Sequence, residues 1–188
     1  MQELQPLPPK KSSNKGLIMV IALIAVVLLA VPCIGVLAAV AIPSFIGYTQ
    51  RAKTAEARAN LSNLHALAAS YYTQERWLNG GDVTLTGCTV STERTSNIPS
   101  SQKTVLPASL GPGFDALGFS LYEPVYYQYE IVGAGGCGHG PGESLYSLRA
   151  YGDLDGDGVT SLFEISASSD SLNELTRSSA VYTQNELE

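Results

Sequence analysis

The sequence predicts an α+β fold in which one long N-terminal helix packs on a small antiparallel β-sheet. Three observations carry this expectation. Gly16 to Gln50 contains no charged residue. Apolar residues then recur every three or four positions through Arg51 to Tyr72, the spacing of one helix face. From Asp82 the pattern changes to short alternating runs separated by glycine-rich turns, which is how strands read in sequence.

As a helix, the uncharged run would be roughly 50 Å long, whereas a bilayer core needs only about 30 Å. Residues 16–48 therefore read as a transmembrane helix, and 49–78 as its amphipathic continuation into an ectodomain. Met1 to Lys15, polar and carrying Pro6, Pro8 and Pro9, reads as a disordered cytoplasmic tail. Pro32 and Pro43 each remove a backbone donor and are expected to loosen the helix locally, which a membrane helix tolerates where neighbours satisfy the freed carbonyls. Beyond the span, Phe45, Tyr48, Ala52, Ala55 and Ala59 form one stripe. Ala57, Leu61, Leu64, Ala68 and Tyr71 form another, and Leu61 to Tyr72 is expected to cover the sheet. Asn79-Gly80-Gly81 is the expected helix end.

Residues 79–188 form the predicted β domain. Val83 to Thr86 and Val125 to Val132 alternate as strands do. Ser91 to Leu110 reads as an irregular loop, Gly111-Pro112-Gly113 as a turn, and Gly133 to Gly142 as a glycine-rich loop. Ser144 to Tyr151 and Val159 to Ser166 read as a hairpin joined by an acidic loop. Ala167 to Glu188 reads as a loose polar tail with one short strand. Of the clustered Tyr122, Tyr126, Tyr127 and Tyr129, alternation places some rings against the helix and others on the outer face.

The net charge of −6 is unevenly distributed. Three of the 11 basic residues, Lys10, Lys11 and Lys15, precede Gly16, while 16 of the 17 acidic residues lie from Arg51 onward. The lysines favour a cytoplasmic N-terminus and a periplasmic or extracellular C-terminal domain, although Arg51, Lys53 and Arg58 behind the span blur that signal. An acidic ectodomain argues against nucleic acid as a partner. Ala39-Val40-Ala41 also fits a signal-peptide cleavage site, but the apolar stretch far exceeds a typical h-region. Cys33 reads as an apolar side chain of the membrane helix.

Asp153-Leu154-Asp155-Gly156-Asp157-Gly158-Val159-Thr160-Ser161-Leu162-Phe163-Glu164 follows the twelve-position calcium-loop pattern, with carboxylates at positions one, three, five and twelve. Asp153, Asp155 and Asp157 are the expected core ligands, Val159 offers its carbonyl, Ser161 acts directly or through water, and Glu164 closes the site. Three aspartates this close repel one another unless a cation holds them, and a hard cation preferring six to eight oxygens suits them, so Ca2+ in a structural role is expected. The competing reading is an acidic solvated turn, since Asp-Gly is ordinary hairpin chemistry. Strand-like flanks make a helix-loop-helix hand unexpected and leave Glu164 free to point away.

Cys88 and Cys137 are the two cysteines beyond the span. In an oxidising compartment they are expected to pair, which by the chain-entropy model contributes on the order of 4 kcal/mol. No zinc-ligand spacing surrounds them; His139 reads as an exposed loop residue and His65 as structural. No nucleophile elbow, phosphate loop or zinc-helix motif occurs, so neither an enzyme nor a small-molecule substrate is expected.

Ile34-Gly35-Val36-Leu37-Ala38-Ala39-Val40-Ala41-Ile42-Pro43-Ser44-Phe45, followed by Arg51-Ala52-Lys53-Thr54-Ala55-Glu56-Ala57-Arg58-Ala59-Asn60-Leu61, resembles the N-terminal helix of type IV pilins and type II secretion pseudopilins. The resemblance covers Ile34 to Tyr72. It implies an inner-membrane anchor and pilin-like partners bound through that helix, in a cell-envelope filament or its assembly machinery. Family members carry Gly before the cleavage site, Phe after it and Glu at the fifth mature position. Aligned on Pro43, this chain has Ile21, Ala22 and Val26 there. Cleavage at Lys15-Gly16 would instead put Ile21 fifth. The alternative expectation is an unprocessed single-span accessory or binding protein. A secreted adhesive domain, cut near Ala41, is a third.

Overall fold

The computed structural model describes residues 14–77 and 84–188. Its elements are helix α1 (Lys15–Thr73), strands β1 (Arg76–Trp77), β2 (Thr84–Leu85) and β3 (Thr89–Arg94), helix α2 (Pro112–Leu117), and strands β4 (Gln128–Gly136), β5 (Ser144–Gly152), β6 (Ser161–Ser169), β7 (Leu175–Arg177) and β8 (Tyr182–Gln184). This is the expected α+β arrangement. The chain divides into two compact units, Met1–Ile46 and Gly47–Glu188. Within the first, α1 runs through Pro32, and it continues through Pro43 as well. Its large apolar side chains from Leu17 to Ile46 are exposed. This is one helix long and apolar enough to cross a membrane, with a mean hydropathy of 3.2 in its best window.

In the second unit a six-stranded antiparallel sheet has the order β3-β4-β5-β6-β7, and β8 also pairs with β6. β7 borders Ala167 to Ser169 and β8 borders Leu162 to Glu164, so the two short strands share one flank of β6. Strand alternation sorts the residues into rows. Tyr129, Ala150 and Phe163 pair in one row, and Ile131, Leu148 and Ile165 in the next. All six are buried. They meet Ala57, Leu61, Leu64, Ala68 and Tyr72 of α1 in a single core. The second predicted stripe thus faces the sheet, with Tyr72 more buried than Tyr71, while Ala52, Ala55 and Ala59 of the first stripe stay exposed. Polar contacts also cross this layer: Asn60 Nδ2 donates to Tyr129 Oη at 2.7 Å, and Tyr146 Oη lies 3.2 Å from His65 Nδ1.

The helix stops at Thr73, before the predicted limit of 78. Arg76 explains the stop. Its guanidinium lies 3.6 Å from the Tyr71 ring centroid and donates to the Tyr71 carbonyl at 3.0 Å. The Gly87 N–H takes the Tyr72 carbonyl at 3.0 Å, so two carbonyls that a helix end leaves open are satisfied. Asn79-Gly80-Gly81, Val83 of the predicted strand, and residues 1–13 of the predicted tail lie outside the described residues.

Four further expectations are corrected. Ser91 to Arg94 belong to β3 rather than a loop, because Ser91, Glu93 and Arg94 pair with Ala134, Ile131 and Glu130 of β4; at the irregularity between them the Thr92 hydroxyl donates to Gly133 O and accepts from Gly133 N, both at 3.1 Å. Gly111-Pro112-Gly113 opens the short helix α2 with Pro in its first turn, and Glu93 Oε2 accepts from the Gly113 and Phe114 N–H groups at 2.6 and 3.1 Å. The predicted Val125 strand begins only at Gln128 and runs on through Gly133 to Gly136; Val125 makes an isolated bridge to Thr104. The tail from Ala167 is ordered by β7 and β8. Of the tyrosines, Tyr127 and Tyr129 are fully buried and Tyr122 is exposed. Tyr126 sits between Lys53 and Lys103, 4.8 and 5.1 Å from its ring centroid.

Cys88 and Cys137 form a disulfide with their Cα atoms 3.9 Å apart. Thr89 pairs with Gly136, so the cysteines continue the β3–β4 ladder by one step. His139 beside them is not an exposed loop residue. Its Nε2 contacts Thr89 Oγ1 at 2.9 Å and its Nδ1 contacts Glu143 Oε2 at 3.0 Å. That contact, then the Gly140 N–H, holds the Glu143 carboxyl below its usual range.

Candidate metal centre

The acidic loop joins β5 to β6. Gly152 pairs with Ser161, so the intervening residues must reverse direction tightly. Gly156 and Gly158 make this possible with φ of 81° and 89°, a left-handed conformation that costs a residue with a Cβ about 1–2 kcal/mol. The backbone then turns its N–H groups onto the aspartates. Asp153 Oδ1 accepts from Gly156 N at 2.7 Å and Oδ2 from Gly158 N at 3.2 Å. Asp155 Oδ1 accepts from Asp157 N at 3.2 Å, and Asp157 Oδ1 from Val159 N at 2.7 Å.

This folding brings carboxylate oxygens of Asp153, Asp155 and Asp157 within 4.8 Å of one another. Asp153 is only 8 % exposed. At about 4 Å two like charges repel by about 1 kcal/mol in water and about 4 kcal/mol at an effective dielectric of 20. The N–H groups offset part of that. Each oxygen that takes one hydrogen bond keeps a lone pair for another partner. The donor set is thus all oxygen and anionic, which fits a hard divalent cation such as Ca2+.

The remaining predicted ligands lie as follows. Val159 stays in the loop with its side chain exposed. Ser161 is fully buried and its Oγ donates to the Glu188 carbonyl at 2.7 Å, with Gly152 O at 3.3 Å; its hydroxyl binds carbonyls, not the aspartates. Glu164 does not join the aspartates. It lies in β6, where alternation puts it on the face opposite Ser161 and Phe163. Its Oε2 accepts from Arg149 Nε at 2.7 Å, and its Oε1 accepts from Ser147 and Ser166 at 3.2 and 3.0 Å. Burial alone would raise the Glu164 carboxyl, but Arg149, Ser166 and Ser147 outweigh it and hold the group below its usual range. In a helix, position twelve would return toward the ion; in a strand it is turned away.

Glu188, which the loop pattern did not indicate, approaches the aspartates. Burial, then the charges of Asp155, Asp157 and Asp153 together with direct contact to Asp155, pushes its carboxyl above the usual range. No local spacing rule reaches it from the loop. It arrives because β8 folds back on β6, and the only sequence signal was the acidic character of the tail itself.

No protein-family model, curated protein or solved structure matches this chain.

Proposed function

We propose that the chain is a pilin-like or pseudopilin-like structural subunit of a cell-envelope filament or its assembly machinery, anchored in the inner membrane and non-enzymatic. The observation that carries this reading is the double use of α1. One helix supplies an apolar stretch able to cross a bilayer and, from Thr54 on, the buried face that covers the sheet. The Ile34 to Tyr72 resemblance supports the same reading. So does the exposed stripe of Ala52, Ala55 and Ala59, where small side chains let a neighbouring helix come close. Small residues Gly35, Ala38, Ala39 and Ala41 would do the same within the membrane.

The β5–β6 loop is read as a structural divalent-cation site held by Asp153, Asp155 and Asp157. A bound Ca2+ would supply positive charge that cancels their mutual repulsion and fixes the loop. The chain's own part is to aim three carboxylates at one point by backbone N–H groups.

Val26 in place of the expected Glu favours a second reading, an unprocessed accessory protein with a single span. Without that carboxylate a neighbouring subunit's buried amine has no partner, and an unpaired buried charge is costly. Intact mass of the protein from membranes, with crosslinking through cysteines placed at Ala38 or Ala39, separates the two. Crosslinks to itself or to pilin-like partners are expected in the inner-membrane fraction. A full-length chain that never crosslinks would leave the lone anchored module.

A further inference from the structure

We propose that Lys53, Lys103 and the loop side chains beside them form a seat for anionic phospholipid headgroups, holding the β domain on the surface of the bilayer that α1 crosses. The inference rests on reading α1 as a membrane span, and it goes further by naming the face of the β domain that meets the lipid.

Lys53 and Lys103 are the lysines beyond the span and lie far apart in sequence. The fold brings both to one ring, their ammonium groups 4.8 and 5.1 Å from the Tyr126 centroid. Glu56 organises this cluster. Its Oε1 accepts from the Tyr126 N–H at 2.8 Å and its Oε2 meets Lys103 at 3.1 Å. With Arg51 exposed just before Lys53, three positive charges stand against Glu56 and the exposed Glu123.

The loops that carry the cluster are apolar at their tips. Thr104 and Val125 exchange two backbone hydrogen bonds of 2.8 and 3.0 Å. Asn97 Nδ2 donates to the Tyr127 carbonyl at 3.1 Å, so residues 97–105 run along residues 122–127. On these two segments Ile98, Val105 and Tyr122 are 80, 69 and 84 % exposed. Tyr122 and Lys103 line one groove beside Glu56 and Asn60 of α1. Exposed apolar side chains gain by leaving water. Interleaved with lysines, they suit a lipid interface, where the apolar tips enter the acyl boundary and the ammonium groups stay at the phosphates. Tyrosine favours the same layer.

The chain itself identifies this occupant. Lys53 follows Gln50, the last residue of the uncharged run, by roughly 5 Å along the helix. From Lys15 to Arg51 the helix measures roughly 54 Å, against about 40–45 Å for a bilayer with its headgroups. A tilt within the range of membrane helices, up to about 40°, brings both ends to headgroup layers. A tilted helix also lowers one flank of whatever it carries toward the surface. An acidic ectodomain is repelled by an anionic membrane unless a cationic patch faces it, and this cluster supplies one.

The test is lysine acetylation of the full-length chain in lipid nanodiscs, one copy per disc, read by peptide mapping. With about 30 % phosphatidylglycerol in phosphatidylcholine, Lys53 and Lys103 should react at least about fivefold more slowly than in phosphatidylcholine alone, the factor that one lysine's attraction to an anionic surface supplies. Raising KCl from about 0.1 to about 1 M, which shortens screening from about 10 to about 3 Å, should remove the difference. A second readout uses Trp77→Phe with Tyr122→Trp, which leaves a single indole on the loop. Bromine on the acyl chains should quench its fluorescence in the anionic discs. Lys53→Gln with Lys103→Gln should abolish the quenching, and Lys53→Arg with Lys103→Arg should keep it. Equal acetylation in both lipids, or an unquenched indole, would overturn the seat and leave the span standing. Protection that appears only in discs holding two copies would overturn it in favour of a second copy of this chain. A chain that stays out of the discs would overturn the span and the seat together.

Discussion

Arg149 Nε and Glu164 Oε2 stand 2.7 Å apart across the β5–β6 pair. They belong to a row of charges on the sheet's outer face: Arg94 meets Glu130 at 2.6 Å and Arg149 reaches Glu130 at 3.8 Å. Tyr151 Oη donates to the same Glu130 at 3.0 Å. Glu130 is buried, and these groups give its oxygens their hydrogen-bond partners. Glu164 therefore serves the sheet. Glu164→Gln should lower stability by about 1.5–3 kcal/mol, the range for hydrogen bonds to charged groups, measured by urea unfolding, with the calcium response intact.

The same pair sets a pH dependence. The folded-state Glu164 carboxyl is held below its unfolded value. Its contribution is fully present above the unfolded pKa of about 4.3 and is lost as pH falls through the lower folded value. Unfolding followed downward from pH 5 should show a shallower acid loss in Glu164→Gln than in wild type. Identical acid limbs would mean that Arg149 does not hold the group.

Calcium should raise the melting temperature of the full-length chain, because an ion that binds only the folded state stabilises it, by about 2.7 kcal/mol at one hundred times its dissociation constant. Asp155→Ala should remove this response. A wild-type melting temperature that is equal in calcium and in chelator would mark the loop as a plain acidic turn.

Reducing the Cys88–Cys137 bond should destabilise the β domain by up to about 4 kcal/mol in the chain-entropy model. Chemical unfolding of the Cys88→Ser, Cys137→Ser double variant against wild type measures it. A loss well under 1 kcal/mol would show that the β3–β4 ladder alone keeps these segments together in the unfolded reference as well.

Leu64 is fully buried at the helix–sheet contact. Leu64→Ala should cost about 2–5 kcal/mol through lost transfer energy and the remaining cavity. Ala55→Ser, on the exposed stripe of the same helix, should change folding stability by less than about 0.5 kcal/mol. Equal losses at the two positions would contradict the assignment of helix faces.

By the positive-inside tendency, Lys10, Lys11 and Lys15 are expected on the cytoplasmic side. A reporter active only in the periplasm, fused after Glu188, is expected to be active. Activity of a cytoplasmic reporter alone at that position would reverse the orientation.

Local order along the chain determined a good deal. The uncharged run from Gly16 and the three-four spacing of Leu61, Leu64 and Ala68 demand a helix with one buried face, whatever it meets. Alternation in Tyr129 and Ile131 and in Leu148 and Ala150 demands strands with one buried face. The spacing of Asp153, Asp155 and Asp157 around Gly156 and Gly158 brings three carboxylates to one point by backbone geometry alone. Tertiary structure decided the rest, because it depends on which segment lies beside which. Arg76 reaching back over Tyr71 ended α1, where local propensity read on to 78. Pairing with β4 made a strand of Ser91 to Arg94, whose polar residues show no periodicity. β6 gave the polar tail its order by offering one open flank to β7 and β8. The period of two in β6 sent Glu164 to Arg149, and the return of β8 carried Glu188 to the aspartates. No local window contains both Asp155 and Glu188, so the contact between them exists only once the sheet has formed.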